Sequence, residues 1–88
     1  MIVTFDAYIV TPDQRERERV NVKGLKEAYA HLHRNRRMND GEQWIVVDET
    51  VKRGKFIRSR HRDEHGNMYI IEKVMKNPNP SSLFRMPR

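Results

Sequence analysis

The spacing of hydrophobic residues changes from a two-residue to a helical period early in the chain, and this change predicts where the helix lies. Leu25, Ala28, Tyr29 and Leu32 recur at i, i+3, i+4 and i+7, so they form one stripe of a helix within residues 20–37. Such a stripe is stable only when it packs on another apolar surface, and strand-like segments flank it on both sides. The pattern predicts one helix on one face of a sheet.

Alternating apolar and polar positions predict five strands around this helix. The predicted strands are residues 2–10, 15–22, 43–49, 56–62 and 68–76. Thr11–Gln14 can open a helix or form a hairpin turn; the turn is preferred because β-branched Val20 would stop the helix early. Residues 43–49 are apolar on both faces, which predicts a strand in the centre of the sheet. The order β-β-α-β-β-β predicts an α+β fold with a four- to five-stranded, mainly antiparallel sheet.

The same periodicity predicts which side chains form the core. The helix stripe is expected to pack on the inward positions of the strands. The predicted core consists of Val3, Phe5, Ile9, Val20, Val22, Leu25, Ala28, Tyr29, Leu32, Ile45, Val47, Ile57, Ile70 and Val74.

Length and composition predict a single domain over residues 1–76, followed by an extended Pro-rich C-terminal tail over residues 77–88. The tail carries Leu83, Phe84 and Met86 between prolines, so it can be a peptide that docks on a partner or a neighbouring subunit, or it can be disordered. The chain has no cysteine, and its first ten residues lack the basic start of a signal peptide. A cytoplasmic protein without a cofactor is expected.

Positive charge is concentrated in one predicted hairpin. The chain has a net charge of +6, and residues 51–63 combine six cationic residues with a single carboxylate, Asp63. This polarity predicts contact with an acidic protein surface or a nucleoprotein complex. The predicted partner-binding residues are Lys52, Arg53, Lys55, Phe56, Arg58, Arg60 and Arg62, with Arg34, Arg36 and Arg37 after the helix stripe.

A second basic ladder consists of Arg15, Arg17 and Arg19 on one face of the second strand. Glu16 and Glu18 nearly cancel its charge, so solubility and edge protection explain it better than binding does. Direct binding of DNA or RNA is the first alternative function, because alternate strand residues lie roughly 6.5 to 7 Å apart, close to the phosphate repeat. Such binders interleave stacking rings, for which Tyr8, Phe56 and Tyr69 are the candidates, with Phe56 placed on the arginine face.

Catalytic and metal motifs are weak in this sequence. A toxin-like ribonuclease is the second alternative function, with His61 as general base and Arg58 and Arg60 as phosphate clamp. His61 and His65 flank a predicted loop and can approach one zinc ion, but the sequence implies no third ligand. The preferred interpretation is therefore a non-enzymatic binding module without a metal.

The layout of elements resembles that of small phage-encoded inhibitors. The segments that carry the resemblance are VNV, LKEAYAHLHRNRR, EQWIVVDE, KFIRSRHRD and MYIIEKV, within residues 15–76. Some anti-CRISPR proteins and phage inhibitors of host RNA polymerase have this layout. The resemblance implies a stoichiometric inhibitor that blocks a host nucleoprotein complex; the basic charge excludes an acidic DNA mimic.

Overall fold

A computed structural model describes residues 2–38 and 40–76 of the chain. Its strands are β1 (Ile2–Val10), β2 (Glu16–Val22), β3 (Ile45–Lys52), β4 (Lys55–Arg62) and β5 (Met68–Lys76), and its helix is α1 (Leu25–Arg34). The five strands form one antiparallel sheet in the order β2-β1-β5-β4-β3. The predicted α+β fold and its element order are confirmed. The predicted tail, residues 77–88, lies outside the described residues.

The helix follows from its apolar stripe and from its ends. Ala28 and Leu32 are buried, and Leu25 and Tyr29 are half-buried against the same core. Gly24 is the N-cap, Glu27 lies in the first turn where it favours the positive end of the helix dipole, and Asn35 is the C-cap. The helix lies over β1, β2 and β5.

The core lies between α1 and the centre of the sheet. It consists of Ala7, Ile9, Ala28, Leu32, Tyr69 and Ile71, with Phe5, Val20, Val22, Leu25, Tyr29, Trp44 and Phe56 packed around it. Most of the core predicted on β1, β2 and α1 is therefore confirmed. Ile70 is also buried, but it alternates with Tyr69 and Ile71 and so faces the opposite side of the sheet.

The predicted position of β3 in the centre of the sheet is wrong. Within residues 2–38 and 40–76, the strand lies at the edge of the sheet and pairs only with β4, and Ile45 and Val47 are exposed rather than part of the core. Val3, at the start of β1, is exposed as well. Apolar residues on both faces of a strand are typical of a central position, but α1 contacts only β1, β2 and β5, so no helix in the described part of the chain covers β3.

Three connections position the functional side chains. Thr11–Arg15 forms the predicted hairpin turn, with hydrogen bonds from Gln14 N to Thr11 O (2.8 Å) and from Thr11 N to Arg15 O (3.0 Å). The β3–β4 turn has Arg53 and Gly54 at positive φ, 54° and 75°, which is characteristic of a tight two-residue hairpin. The β4–β5 loop is organised by the buried side chain of Asp63.

Candidate functional site

The β3–β4 turn holds a group of exposed cations at one end of the sheet. Lys52, Arg53 and Lys55 are exposed there, and Arg58 follows on β4. Within residues 2–38 and 40–76, none of these four side chains forms an ion pair. These four residues are called the basic tip below. The turn brings together side chains that the sequence placed in one predicted hairpin.

A shallow depression adjoins the basic tip. It has a volume of about 460 Å³, and its wall combines Lys52, Arg58 and Lys73 with a single carboxylate, Glu72; its other lining residues are Thr50, Ile57 and Val74. The depression therefore offers positive charge beside the apolar side chains of Ile57 and Val74, a combination that suits an acidic protein surface with an apolar centre. Exposed Val51 and Met75 lie at the same end of the sheet but on its helix side, because Val51 pairs with Phe56 and Met75 alternates with Ile71.

Arg60, unlike the residues of the basic tip, forms an ion pair with a described residue. Its guanidinium donates from Nε to Asp48 Oδ2 at 2.9 Å, and Nη2 contacts the same carboxylate. This hydrogen bond and the charge of Asp48 raise the pKa of Arg60, and the guanidinium lowers the pKa of Asp48. Arg62 is exposed at the far end of β4.

The remaining predicted arginines lie elsewhere. Arg37 N donates to the hydroxyl of Tyr69 at 2.9 Å, which places the residues after α1 near the β4–β5 loop, roughly 25 Å along β4 from the tip at about 3.3 Å per residue. Arg36 pairs with Asp40. The predicted set of Arg34, Arg36 and Arg37 with the hairpin therefore does not form one surface.

The ladder on β2 lies at the opposite edge of the sheet. Arg15 and Arg17 approach Asp13 at 3.6 Å. Arg19 pairs with Glu16 at 2.6 Å and with Asp6 at 2.7 Å, and its guanidinium covers the ring of Tyr8 at 4.1 Å. These contacts favour the interpretation that this ladder serves solubility and edge protection rather than binding.

The candidate stacking rings are not available beside the basic tip. Phe56 packs edge-on against Phe5 with ring centroids 6.0 Å apart and joins the core, so its predicted position on the arginine face is wrong. A register shift between Thr50 and Val51 in the β3–β4 pairing accompanies this change of face. Tyr69 is fully buried, and Tyr8 is buried under Arg19.

The proposed ribonuclease trio is also separated. His61 is buried on the helix side of the sheet, with its ring 5.3 Å from Trp44 and 6.1 Å from Tyr29. Arg58 and Arg60 alternate with it along β4 and therefore face the other side. Burial lowers the pKa of His61. A general base and a phosphate clamp on opposite faces of one sheet cannot act on the same phosphate, so this arrangement is wrong.

Sequence reasoning missed the buried network around Asp63. Its carboxylate accepts hydrogen bonds from Tyr69 Oη (2.7 Å), Asn67 N (3.0 Å) and His65 N (2.9 Å). Burial by itself raises the pKa of Asp63, but the hydrogen bonds from Asn67 and Tyr69 outweigh it, and the net pKa is lowered. A buried aspartate is rare without such partners, and nothing in the local spacing distinguishes it from a loop aspartate.

One cluster has ligand atoms suitable for a cation. Glu42, Glu64 and His65 bring carboxylate oxygens and an imidazole nitrogen within 4.8 Å of one another. His65 Nε2 lies 3.0 Å from Glu42 Oε1, and this contact raises the pKa of His65. His61 is not part of this cluster, because it lies beneath Trp44. The imidazolium of His65 balances one of the two carboxylates, and the hydrogen bond with Glu42 raises the pKa of Glu64.

Comparison of the chain with protein-family models, with curated proteins and with solved structures finds no match. In the described part of the chain, no helix has the length and apolar character needed to cross a membrane.

Proposed function

We propose that this chain is a non-enzymatic binding module whose basic tip contacts an acidic surface of a protein or nucleoprotein partner. The observation that carries the proposal is the group of Lys52, Arg53 and Lys55, three exposed cations on one tight turn without an ion-pair partner among the described residues. Arg53 holds positive φ at a position where Asn, Asp or Gly has the lower conformational cost. A cation kept at such a position suggests a role in contact rather than in folding.

An acidic protein surface fits this end of the sheet better than a single nucleic-acid strand does. Single-strand binders combine positive charge with exposed rings on which bases stack, whereas Phe56 and Tyr69 are turned into the core. Ile57 and Val74, which line the depression beside Lys52 and Arg58, instead provide apolar contact area.

A module of this kind acts by occupying a surface. Such action requires protein in amounts comparable to the target, which is the behaviour implied by the resemblance to small phage inhibitors. We propose blocking of a host nucleoprotein complex as the biological outcome.

The test is affinity capture with matched charge variants. The chain is immobilised and incubated with host lysate, with and without nuclease. Lys52→Gln combined with Arg53→Gln removes two charges from the basic tip, whereas Arg15→Gln combined with Arg17→Gln removes two charges from β2. The proposal expects a nuclease-resistant partner that the first variant loses and the control variant retains.

Two outcomes contradict the proposal. Equal loss in both variants would mean that binding follows net charge alone. Capture of nucleic acid without any protein, lost on nuclease treatment, would favour direct binding of nucleic acid, and log affinity for DNA or RNA should then fall linearly with log salt, with a slope reduced by about 0.9 for each phosphate contact removed.

A further inference from the structure

The depression beside the basic tip is lined by more positive charge than its own carboxylate can balance. Its wall contains Lys52, Arg58 and Lys73 against Glu72 alone, and three positive charges minus one negative charge leave +2. Within residues 2–38 and 40–76, none of these three cations forms an ion pair. A concave surface with an unbalanced charge of this kind attracts an anion.

Glu72 does not neutralise Arg58, although the two residues lie opposite each other on β5 and β4. These two described residues form no ion pair. Glu72 is instead hydrogen-bonded to the hydroxyl of Tyr8, which lies on β1, across β5 from Arg58. The Nε atom of Arg58 is buried and has no hydrogen-bond acceptor among the described residues. A buried donor without an acceptor is unfavourable, so Arg58 gains from an anionic oxygen.

A β-bulge shapes the sheet at this point. Thr50 pairs with Arg58. Its neighbour Val51 pairs with Phe56, so Ile57 is one extra residue of β4. A bulge bends its strand and changes the direction of the side chains there. Ile57 and Arg58 both line the depression, whereas Phe56 packs in the core on the helix side. The bulge therefore places the guanidinium of Arg58 beside the hydroxyl of Thr50.

We propose that the depression binds the phosphate monoester of a phosphorylated side chain on the protein partner. The proposal rests on the function proposed for the basic tip and names the group that is recognised there. A phosphate monoester carries a charge of about −1.5 to −2 at neutral pH and three acceptor oxygens, which matches the net charge of +2 of the wall. The guanidinium of Arg58 can donate two parallel hydrogen bonds to such a group, and the hydroxyl of Thr50 can donate a third.

Other anions fit the depression less well. A carboxylate carries a single charge on two oxygens, so three cations around it stay partly unbalanced. A phosphodiester of a nucleic acid also carries a single charge, and the described residues that line the depression include no aromatic ring on which a base could stack. Ile57 and Val74 in the wall instead suit apolar side chains next to a phosphorylated residue of a protein.

The test compares two synthetic peptides of one acidic sequence, which carry phosphoserine or glutamate at the same position. Binding is measured by isothermal titration calorimetry at fixed ionic strength. The phosphopeptide should bind the wild type at least about tenfold more tightly than the glutamate peptide, because it makes more hydrogen bonds to charged donors. Its addition should also shift the amide NMR signals of Thr50, Arg58 and Lys73.

Arg58→Lys separates geometry from charge, because it keeps the positive charge and removes the planar fork of donors. In this variant the preference for the phosphopeptide should fall to about twofold or less. Arg53→Lys is the matched control, since Arg53 does not line the depression, and it should keep the preference. Thr50→Val removes one donor from the edge strand and should reduce the preference independently of Arg58. Amide NMR spectra of the free variants verify that each is folded.

Four outcomes would overturn the proposal. The two peptides bind equally, or neither peptide binds, or Arg58→Lys keeps the preference, or Arg53→Lys loses it to the same extent as Arg58→Lys. In each case, capture of a partner by the basic tip still decides the proposed function, so the two failures are distinguishable. A short 5′-phosphorylated oligonucleotide that binds more tightly than the phosphopeptide would also overturn the proposal and would assign the depression to nucleic acid.

Discussion

Arg60 and Asp48 face each other across the β3–β4 pair, and the guanidinium of Arg60 donates hydrogen bonds to the carboxylate of Asp48. This contact separates the arginines of β4 into two kinds. Arg60 is neutralised within the chain, whereas Arg58 and the turn residues before it have no such partner among the described residues. The basic tip is therefore smaller than the charge pattern of the sequence indicates.

Substitution Asp48→Asn should extend the basic tip. The ion pair is lost, so Arg60 becomes free to contact an acidic partner and affinity for a poly-L-glutamate matrix should rise, measured as the salt concentration needed for elution. Asp40→Asn is the matched control, because Asp40 pairs with Arg36 at the other end of the sheet. An equal rise in both variants would show that retention follows net charge only.

Substitution Arg53→Asn should stabilise the fold and weaken partner binding. Arg53 has φ 54°, a conformation that costs an ordinary residue about 1 kcal/mol and that Asn adopts more readily. Chemical denaturation should therefore show a higher free energy of unfolding, while capture of the partner decreases.

Gln14→Asn is the control for this trade-off. Gln14 also has positive φ, 66°, but it lies in the β1–β2 turn away from the basic tip. The Gln14→Asn substitution should raise the free energy of unfolding by a similar amount and leave binding of the partner unchanged. Loss of binding in both variants would assign the effect to the backbone rather than to the Arg53 guanidinium.

The elements of the fold could be predicted from the sequence because each depends on local spacing. The stripe of Leu25, Ala28 and Leu32 determines the helix, and Gly54 marks the β3–β4 turn. The position of β3 could not be predicted this way. Apolar residues on both faces show that a strand can be buried. Whether another layer covers the strand depends on the length and direction of α1, and the sequence of β3 contains no information about either.

The turn residues of the candidate site could be predicted because they also depend on local sequence, whereas the strand residues could not. A turn keeps Lys52, Arg53 and Lys55 together whatever the rest of the chain does. Whether an arginine on a strand is free depends instead on its neighbour across the sheet, and the partner of Arg60 comes from a strand twelve residues earlier in the chain. The face of Phe56 was missed because a register shift changes the alternation on which that prediction rests.

Ile45 and Ile71 should respond differently to the same substitution. Ile71 is 0% exposed and Ile45 is 55% exposed. Ile71→Ala should lower the free energy of unfolding by about 2–5 kcal/mol, because it leaves a cavity in the core. Ile45→Ala should change it by only about 0.5 kcal/mol or less. Urea denaturation measures both, and a large loss for Ile45→Ala would mean that something covers the β3 edge in solution.

Tyr69→Phe should destabilise the β4–β5 loop. The hydroxyl of Tyr69 donates to Asp63 at 2.7 Å and accepts from Arg37 N at 2.9 Å, so its removal leaves buried polar groups with fewer partners. A loss of about 1–3 kcal/mol is expected in denaturation experiments. Tyr29→Phe is the control, because the Tyr29 hydroxyl makes no hydrogen bond within the described residues, and its variant should stay close to wild type.

His61 and His65 should give the stability of the protein opposite dependences on pH. Burial lowers the pKa of His61. Below about pH 6.5 the unfolded chain therefore binds a proton more readily than the folded chain does, and the free energy of unfolding decreases as the pH is lowered. The hydrogen bond to Glu42 raises the pKa of His65. Its contribution is fully present below about pH 6.5 and is lost as pH rises through the raised value.

Single variants separate these two contributions. His65→Gln should lower the free energy of unfolding more at pH 5 than at pH 8, because only the protonated imidazole gains from Glu42. His61→Gln should lower it less at pH 5 than at pH 8, because the variant removes the cost of protonation along with the buried ring. Urea denaturation at both pH values measures each difference relative to wild type. Losses that change with pH in the same direction in both variants would contradict the lowered pKa of His61 beneath Trp44 and the raised pKa of His65 beside Glu42.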